Sequence, residues 1–297
     1  MAKSNPVPRR ESQLFDLVIA VDWSAAATPG PKRPAPDRCW LAWRDRRETT
    51  PAEYFRTRLQ AEDRVRALLH RQPGSALVAW DFPHGYPAGS GLGGGRDLAH
   101  QFAGLISDGA DGQNNRFVVA AALNRQLGAP PGPLWGCPTG RGGPDLGERK
   151  SPFTDRGFDE WRLVDRRVRA GGRNIQSAWK LYTTGSVGSQ ILMGLPTLYR
   201  LLTDPDLGAR SRLWPFETDW DTALGGIVHA EMWPSLADHQ AQAHPIKDAR
   251  QVQAARDWIW AEDQTGRLRG WLTRPAGLTS KQSKTCLTEE GWILGVA

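Results

Sequence analysis

A chain of 297 residues with 39% hydrophobic content can bury a substantial core, as one large domain or two small ones. No apolar run approaches the roughly 20 residues that cross a bilayer, and Met1 to Ser12 is polar and basic without an apolar signal core, so the expectation is a soluble, cytoplasmic protein with no membrane partner. The net charge of +6, from 38 basic and 32 acidic residues, is compatible with nucleic acid or a nucleotide as partner, and equally with an ordinary solvated basic surface.

Cys39, Cys137 and Cys286 are isolated and show no CxxC spacing, which excludes a disulfide framework and a zinc site. Fourteen tryptophans are many for this length. Most are expected to fill the core, although such rings also stack on bases.

Along the chain, residues 1–13 read as a flexible segment and 14–297 as one domain. Phe15 to Val21 (FDLVIAV) is a continuous apolar, β-branched run and predicts a buried strand that stops at Asp22-Trp23-Ser24. After a Pro-rich connection, Cys39 to Trp43 and Glu53 to Phe55 predict two further strands, together an antiparallel meander. Leu59 to Leu69 has an apolar side and a charged side, the pattern of an amphipathic helix. Ala76 to Trp80 is the fourth strand, ending at Asp81-Phe82-Pro83; a helix between strands predicts a right-handed crossover that sets it parallel to the first.

Gly85 to Gly95 reads as irregular, Phe117 to Leu127 as helix, Gly128 to Ser151 as Gly/Pro-rich loop, and Ser189 to Leu202 as helix despite Pro196. Leu213 to Phe216 and Ile227 to Ala230 predict short strands, and a helix is predicted from Asp248 to about Ala261.

Three predicted strands end in an acid: Asp22, Asp81 and Glu231. In a parallel sheet the carboxyl ends share one edge, where open α/β folds place ligands, and Asp248 at the head of the late helix completes a candidate cluster. Carboxylates packed together repel and raise one another's pKa, so they persist when a cation neutralises them; an all-oxygen set suits Mg²⁺ or Mn²⁺ and phosphodiester hydrolysis. The competing readings are local: Asp22 and Asp81 as turn formers, Glu231 as the partner of a buried cation, Asp248 as a helix cap. Asp257 lies about 180° round the helix from Asp248 and is excluded from the cluster.

Gly185-Ser186-Val187-Gly188-Ser189-Gln190 precedes a helix and offers Ser186, Gly188, Ser189 and Gln190 as phosphate contacts, with Ser24 and Lys180; the alternative is a turn with a serine cap. It lacks the spacing and ending of a P-loop. Arg141 and Arg173 are further candidate phosphate ligands, and His84 and His244 lie close in sequence to Asp81 and Asp248. No GxSxG elbow supports a Ser/His/Asp triad.

Taken together, Ala20-Val21-Asp22-Trp23-Ser24, Trp80-Asp81-Phe82-Pro83-His84-Gly85-Tyr86-Pro87, Leu181-Tyr182 with Gly185 to Gln190, Ala230-Glu231-Met232-Trp233-Pro234-Ser235 and Glu289 to Gly295 resemble a bacterial family of uncharacterised proteins. Its members often carry automatic labels of cobalamin biosynthesis or molybdopterin-guanine dinucleotide synthesis, and it resembles in turn predicted ribonuclease H-like nucleases.

The resemblance implies an α/β fold of ribonuclease H-like type. Its mixed sheet has antiparallel first three strands plus parallel ones, with flanking helices and a large insertion around 85–205 after the fourth strand. It also implies Asp22, Asp81 and Asp248 as metal ligands, Glu231 as a further acid, and Mg or Mn as cofactor. Two functions are expected from different classes: a metal-dependent nuclease or phosphodiesterase, or a non-catalytic protein that binds a nucleotide-containing cofactor or a partner enzyme. An actin-like phosphotransferase needs two duplicated halves, and only one is found.

Overall fold

The computed structural model describes residues 12–128, 130–154 and 156–297. The elements in chain order are β1 (Leu17–Asp22), β2 (Cys39–Asp45), β3 (Glu53–Phe55), α1 (Arg58–Arg71), β4 (Ala76–Trp80), α2 (Gly95–Leu105), α3 (Arg116–Gln126), α4 (Leu163–Ala170), α5 (Gly188–Leu202), β5 (Ser211–Leu213), β6 (Ile227–Glu231), α6 (Lys247–Gln264), α7 (Leu268–Leu272) and α8 (Ser280–Thr285). The fold is α/β, with one mixed six-stranded sheet in the order β3-β2-β1-β4-β6-β5. β1–β2 and β2–β3 pair antiparallel; β1–β4, β4–β6 and β5–β6 pair parallel. This is the arrangement anticipated from the resemblance, with β5 added at the edge.

Alternation along the strands gives the sheet two apolar faces. Leu17, Ile19 and Val21 of β1 join Val78 and Trp80 of β4 in a core completed by α1, α2, α3 and α5. Val18 and Ala20, with Leu77 and Ala79, face a second core formed with α4, α6, α7 and the segment Trp292–Leu294. Covering on both faces explains why β1 and β4 read as unbroken apolar runs rather than alternating ones. α1 starts at Thr57, whose side chain accepts from the Gln60 N–H, and carries the crossover from β3 to β4.

α5 is the most enclosed helix of the long segment between β4 and β5, with twelve of its fifteen residues buried. It seats against the residue after Asp81. A Cβ on Gly194 would stand 2.5 Å from the Phe82 ring, so glycine is required for this approach. α5 begins at Gly188, where a Cβ would meet the Ala178 carbonyl at 2.6 Å, so a side chain is not accommodated there.

Several expectations need correction. The strand expected over Leu213–Phe216 lies earlier, at Ser211–Leu213; Trp214 still donates to the His229 carbonyl, but Pro215 has no N–H to continue the ladder. α2, α4, α7 and α8 were not anticipated, being short or lying in Gly-rich or charged sequence. Of the segment expected to be flexible, residues 1–11 lie outside the described residues, while Gln13 is buried. Among the described residues no helix is long and apolar enough to cross a membrane.

β6 places His229 wholly inside the core, its Nδ1 accepting from Trp80 Nε1 at 3.2 Å. Burial, with the charge of Arg96 adding to it, holds the imidazole down to about 3, against about 6.5 in the unfolded chain. Below pH ~6.5 the unfolded state takes a proton that the folded state refuses, so stability is complete above that pH and falls with acidification. The expected slope from this residue is about 1.4 kcal/mol per pH unit below pH 6.5. Urea midpoints of wild type and His229→Gln between neutral and mildly acidic pH should diverge by that slope; parallel curves would show that His229 protonates without penalty.

Candidate carboxylate site

The register of the parallel strands decides which acids meet. Val21 pairs with Trp80, and the Asp81 N–H donates to the Val21 carbonyl at 3.0 Å, so Asp22 and Asp81 leave adjacent strands at the same level. Both share the parity of Ala20 and Ala79 and therefore emerge on the same face. Their carboxyl groups interact directly with each other. Burial raises Asp22 well above the usual carboxylate range, and the charges of Asp81, Asp248 and Asp37 raise it further. Asp81 is also raised, by burial first and then by Glu231 and Asp248, while its contact with Asp22 and the charge of Lys247 pull it back.

Asp248 enters from above. α6 packs across β1 and β2 on the Asp22 face, and Asp248 sits in its first turn. Burial raises its pKa, opposed by a hydrogen bond from the Asp37 N–H, 2.7 Å from Oδ2. Asp37 is a fourth acid that sequence reasoning missed; it lies in the Pro-rich connection, where spacing gives no signal, and its backbone is left-handed at φ 56°. Three or more His, Cys, Asp or Glu ligand atoms all within 4.8 Å of one another occur once among the described residues, at His70, Asp204 and Asp206. The Asp22–Asp81–Asp248 set is more open than that. The His70 group is a surface turn whose Asp204 is already bound to Arg66 at 3.0 Å.

Glu231, whose charge is felt at Asp81, leaves the sheet on its other face. It pairs with Trp80 across β4–β6 and has the parity of Ile227, so it lies on the opposite face of the sheet from Asp22 and Asp81. It is 3% exposed and held by both terminal nitrogens of Arg162, each at 2.7 Å. Arg162 also binds Asp165 and the Glu290 carbonyl. The expected catalytic acid is thus one partner in a closed ion-pair network that joins β6, α4 and the C-terminal segment.

The predicted phosphate contacts also divide. Gln190 reaches the site, its Nε2 donating to the Trp23 carbonyl at 2.6 Å. Ser24 is spent locally: its hydroxyl donates to the Asp37 carbonyl and accepts from the Ala26 N–H. Gly188 and Ser186 give their N–H groups to Lys180 and Thr183 carbonyls, and the Ser189 hydroxyl donates to Leu181 O. Lys180 Nζ binds Gln176 and the Thr184 carbonyl within its own loop. The expected anion-binding helix start is therefore closed on its own chain. What sits there instead is Arg116, donating to Ser189 Oγ at 3.1 Å.

Arg173 bonds the Ser235 carbonyl, and Arg141 is exposed on the Gly/Pro-rich loop. His84 is fully buried beside Phe82, and His244 packs on Trp40 with Nδ1 accepting from Ile246 N–H. Asp257 binds Arg256 and Gln242, away from Asp248 as expected.

The loop leaving Asp22 is clamped by Arg58, which donates to the Ser24, Ala26 and Gly112 carbonyls and is ion-paired to Asp108. Trp23 and Phe82, each 1% exposed, close the floor behind the acids. The half-buried Asp22, Asp81 and Asp248 offer oxygen alone, with Lys247 as a cation acting on Asp81 and Asp248 and, among the described residues, no arginine bonded to them. That donor set fits a hard divalent ion such as Mg²⁺ or Mn²⁺. The chain matches no protein-family model, no curated protein and no solved structure, so the chemistry of the site rests on its own geometry.

The two acidic groupings should respond oppositely to mutation. Arg162→Met leaves Glu231 and Asp165 buried without a counter-charge and should cost about 3–5 kcal/mol in urea unfolding. Asp22→Asn relieves like-charge crowding and should raise stability in EDTA by about 0.5–2 kcal/mol. A destabilised Asp22→Asn in EDTA would mean the acids are structural.

Proposed function

We propose that this protein is a metal-dependent phosphodiesterase or nuclease, with Asp22, Asp81 and Asp248 holding Mg²⁺ or Mn²⁺ and a nucleic acid or nucleotide as substrate. The observation that carries this reading is the Asp22–Asp81 pair: two acids at the ends of adjacent parallel strands on one face of the sheet, with no arginine bonded to them among the described residues. Such an arrangement costs stability, and a divalent cation with an anionic ligand offsets that cost. When bound, the ion supplies Lewis-acid polarisation of water and of a phosphoryl oxygen.

The remaining work falls to the chain. Asp22 and Asp81, in their ionised form, would hold the ion from the sheet edge. Asp37, through its N–H, fixes the rotamer of Asp248 on the facing helix. Exposed Lys247, next to Asp248, draws the phosphate towards the acids. Gln190 steadies the peptide that follows Asp22. Trp23 and Phe82 keep water from the rear of the carboxylates, which strengthens every charge interaction in front of them. The mixed sheet order supports the ribonuclease H-like reading of the chain. As a location we propose the cytoplasm, in keeping with three buried, unpaired cysteines.

Purified protein should cleave RNA, DNA, a hybrid duplex or a dinucleotide with Mn²⁺ or Mg²⁺, and EDTA should abolish the reaction. Asp22→Asn and Asp81→Asn should each lose more than the roughly 10–100-fold that removal of an outer-shell partner costs. Glu231→Gln should lose activity only in proportion to folded protein. Inert wild type across these substrates, or Asp22→Asn cleaving as fast as wild type, would remove the proposal.

A further inference from the structure

Arg116, the first residue of α3, is a buried cation with an unusual deficit. It is 9% exposed, its Nε donates to Ser189 Oγ and its NH1 to Asn114 Oδ1 at 2.7 Å, and among the described residues no carboxylate pairs with it. The other buried arginines differ: Arg58 is paired with Asp108, Arg162 with Glu231 and Asp165, and Arg256 with Asp257. Burial and the nearby charge of Arg58 bring Arg116 down to about 10. A guanidinium withdrawn from water without a counter-ion is costly, and an anion supplied by a ligand reverses that cost.

An aromatic surface adjoins it. The Arg116 guanidinium lies over the Phe117 ring at 4.3 Å, and Phe117 meets Tyr182 edge-on at 6.3 Å. Tyr182 is 40% exposed and Val118 71%, two of the three large hydrophobic side chains left in solvent among the described residues. Tyr182 is nevertheless rigidly mounted. The Leu181 N–H donates to the Trp135 carbonyl at 2.8 Å, and Gly136, at φ 92°, packs closely on it: a Cβ there would stand 3.1 Å from Tyr182 N.

The whole surface is tied to the loop that leaves the acids. Ser189, bonded by Arg116, precedes Gln190, which holds the Trp23 carbonyl; Asn114, bonded by Arg116, reaches the Ala26 carbonyl at 3.4 Å.

We propose that Arg116 and Tyr182 form the binding subsite for a single-stranded nucleic acid, Arg116 holding a backbone phosphate and Tyr182 stacking one base. The placement rests on the reading of the carboxylates as a phosphodiester-cleaving centre. Planar guanidinium donors match phosphate oxygens, and an aromatic face exposed to solvent accepts a base only when that base is unpaired. A duplex therefore satisfies the arginine but not the tyrosine. The subsite has no hydrogen-bond readout of base edges, so it selects strandedness rather than sequence.

The test is fluorescence anisotropy in EDTA on the Asp22→Asn protein, which separates binding from cleavage. The probes are labelled oligothymidylate and oligouridylate of about a dozen nucleotides and a duplex of equal length. Single strands should bind more tightly than the duplex. Tyr182→Ala should weaken single-strand binding roughly ten-fold, with Tyr182→Trp restoring it. Arg116→Gln should weaken it and reduce the slope of log affinity against log salt by about 0.7, one single-strand phosphate contact. Because Tyr182 is exposed, its variants keep the test valid even if Arg116→Gln fails to fold. Unchanged affinity in Tyr182→Ala, equal affinity for duplex, or no binding of either oligonucleotide overturns the proposal. Cleavage by wild type with Tyr182→Ala binding normally sinks this subsite alone; Tyr182-dependent binding without metal-dependent cleavage sinks the catalytic reading alone.

Discussion

Everything at the site follows from the in-register parallel pairing of β1 with β4. Two strands separated by some sixty residues, joined through a meander and one crossover helix, place Asp22 and Asp81 at the same level on the same face. Neighbouring strands lie about 4.8 Å apart, so two acids in this relation cannot avoid one another. A slip of one residue would turn one carboxyl to the far face and end the contact. The register is fixed by the core behind it. Val21, Val78 and Trp80 are fully buried, and Trp23, Trp80 and Phe82 pack ring against ring directly beneath the acids.

The third strand-end acid shows how strongly one unit of parity matters. Glu231 ends a strand adjacent to β4 and looks equivalent in sequence to the other two, yet it faces away and carries its own arginine. Nature of neighbour, not position at a strand end, separates the two outcomes. A buried carboxylate bonded to Arg162 has no reason to recruit a cation, whereas two carboxylates crowded together do. The same distinction runs in reverse at Arg116, where the missing partner is an acid. Among the described residues, acids without an arginine and an arginine without an acid thus both border one loop, from Trp23 to Asp37, that Arg58 clamps in place.

The long stretch between β4 and β5 supplies more than cover. α5 seats Phe82 through Gly194, delivers Gln190 to the peptide after Asp22, and brings Ser189 to Arg116 of α3. These contacts join residues 73 to 167 positions apart. They explain why the glycine- and serine-rich approach to α5 resembles an anion loop while its donors are already bound to the chain.

The sequence by itself determined the central strands β1 and β4, because apolar runs such as LVIAV and ALVAW can be satisfied only by burial on both faces. It also determined α1 and α6 from their two-sided patterns, and the candidacy of Asp22, Asp81 and Asp248 from where those patterns stop. Tertiary structure alone decided which acids meet. Strand register and parity are not local properties, so nothing near Glu231 in the chain announces Arg162, and nothing near Asp37 or Arg116 announces the partners they have or lack. Short helices such as α2 and α4 escaped for the same reason: their stability comes from the surfaces they land on rather than from their own residues.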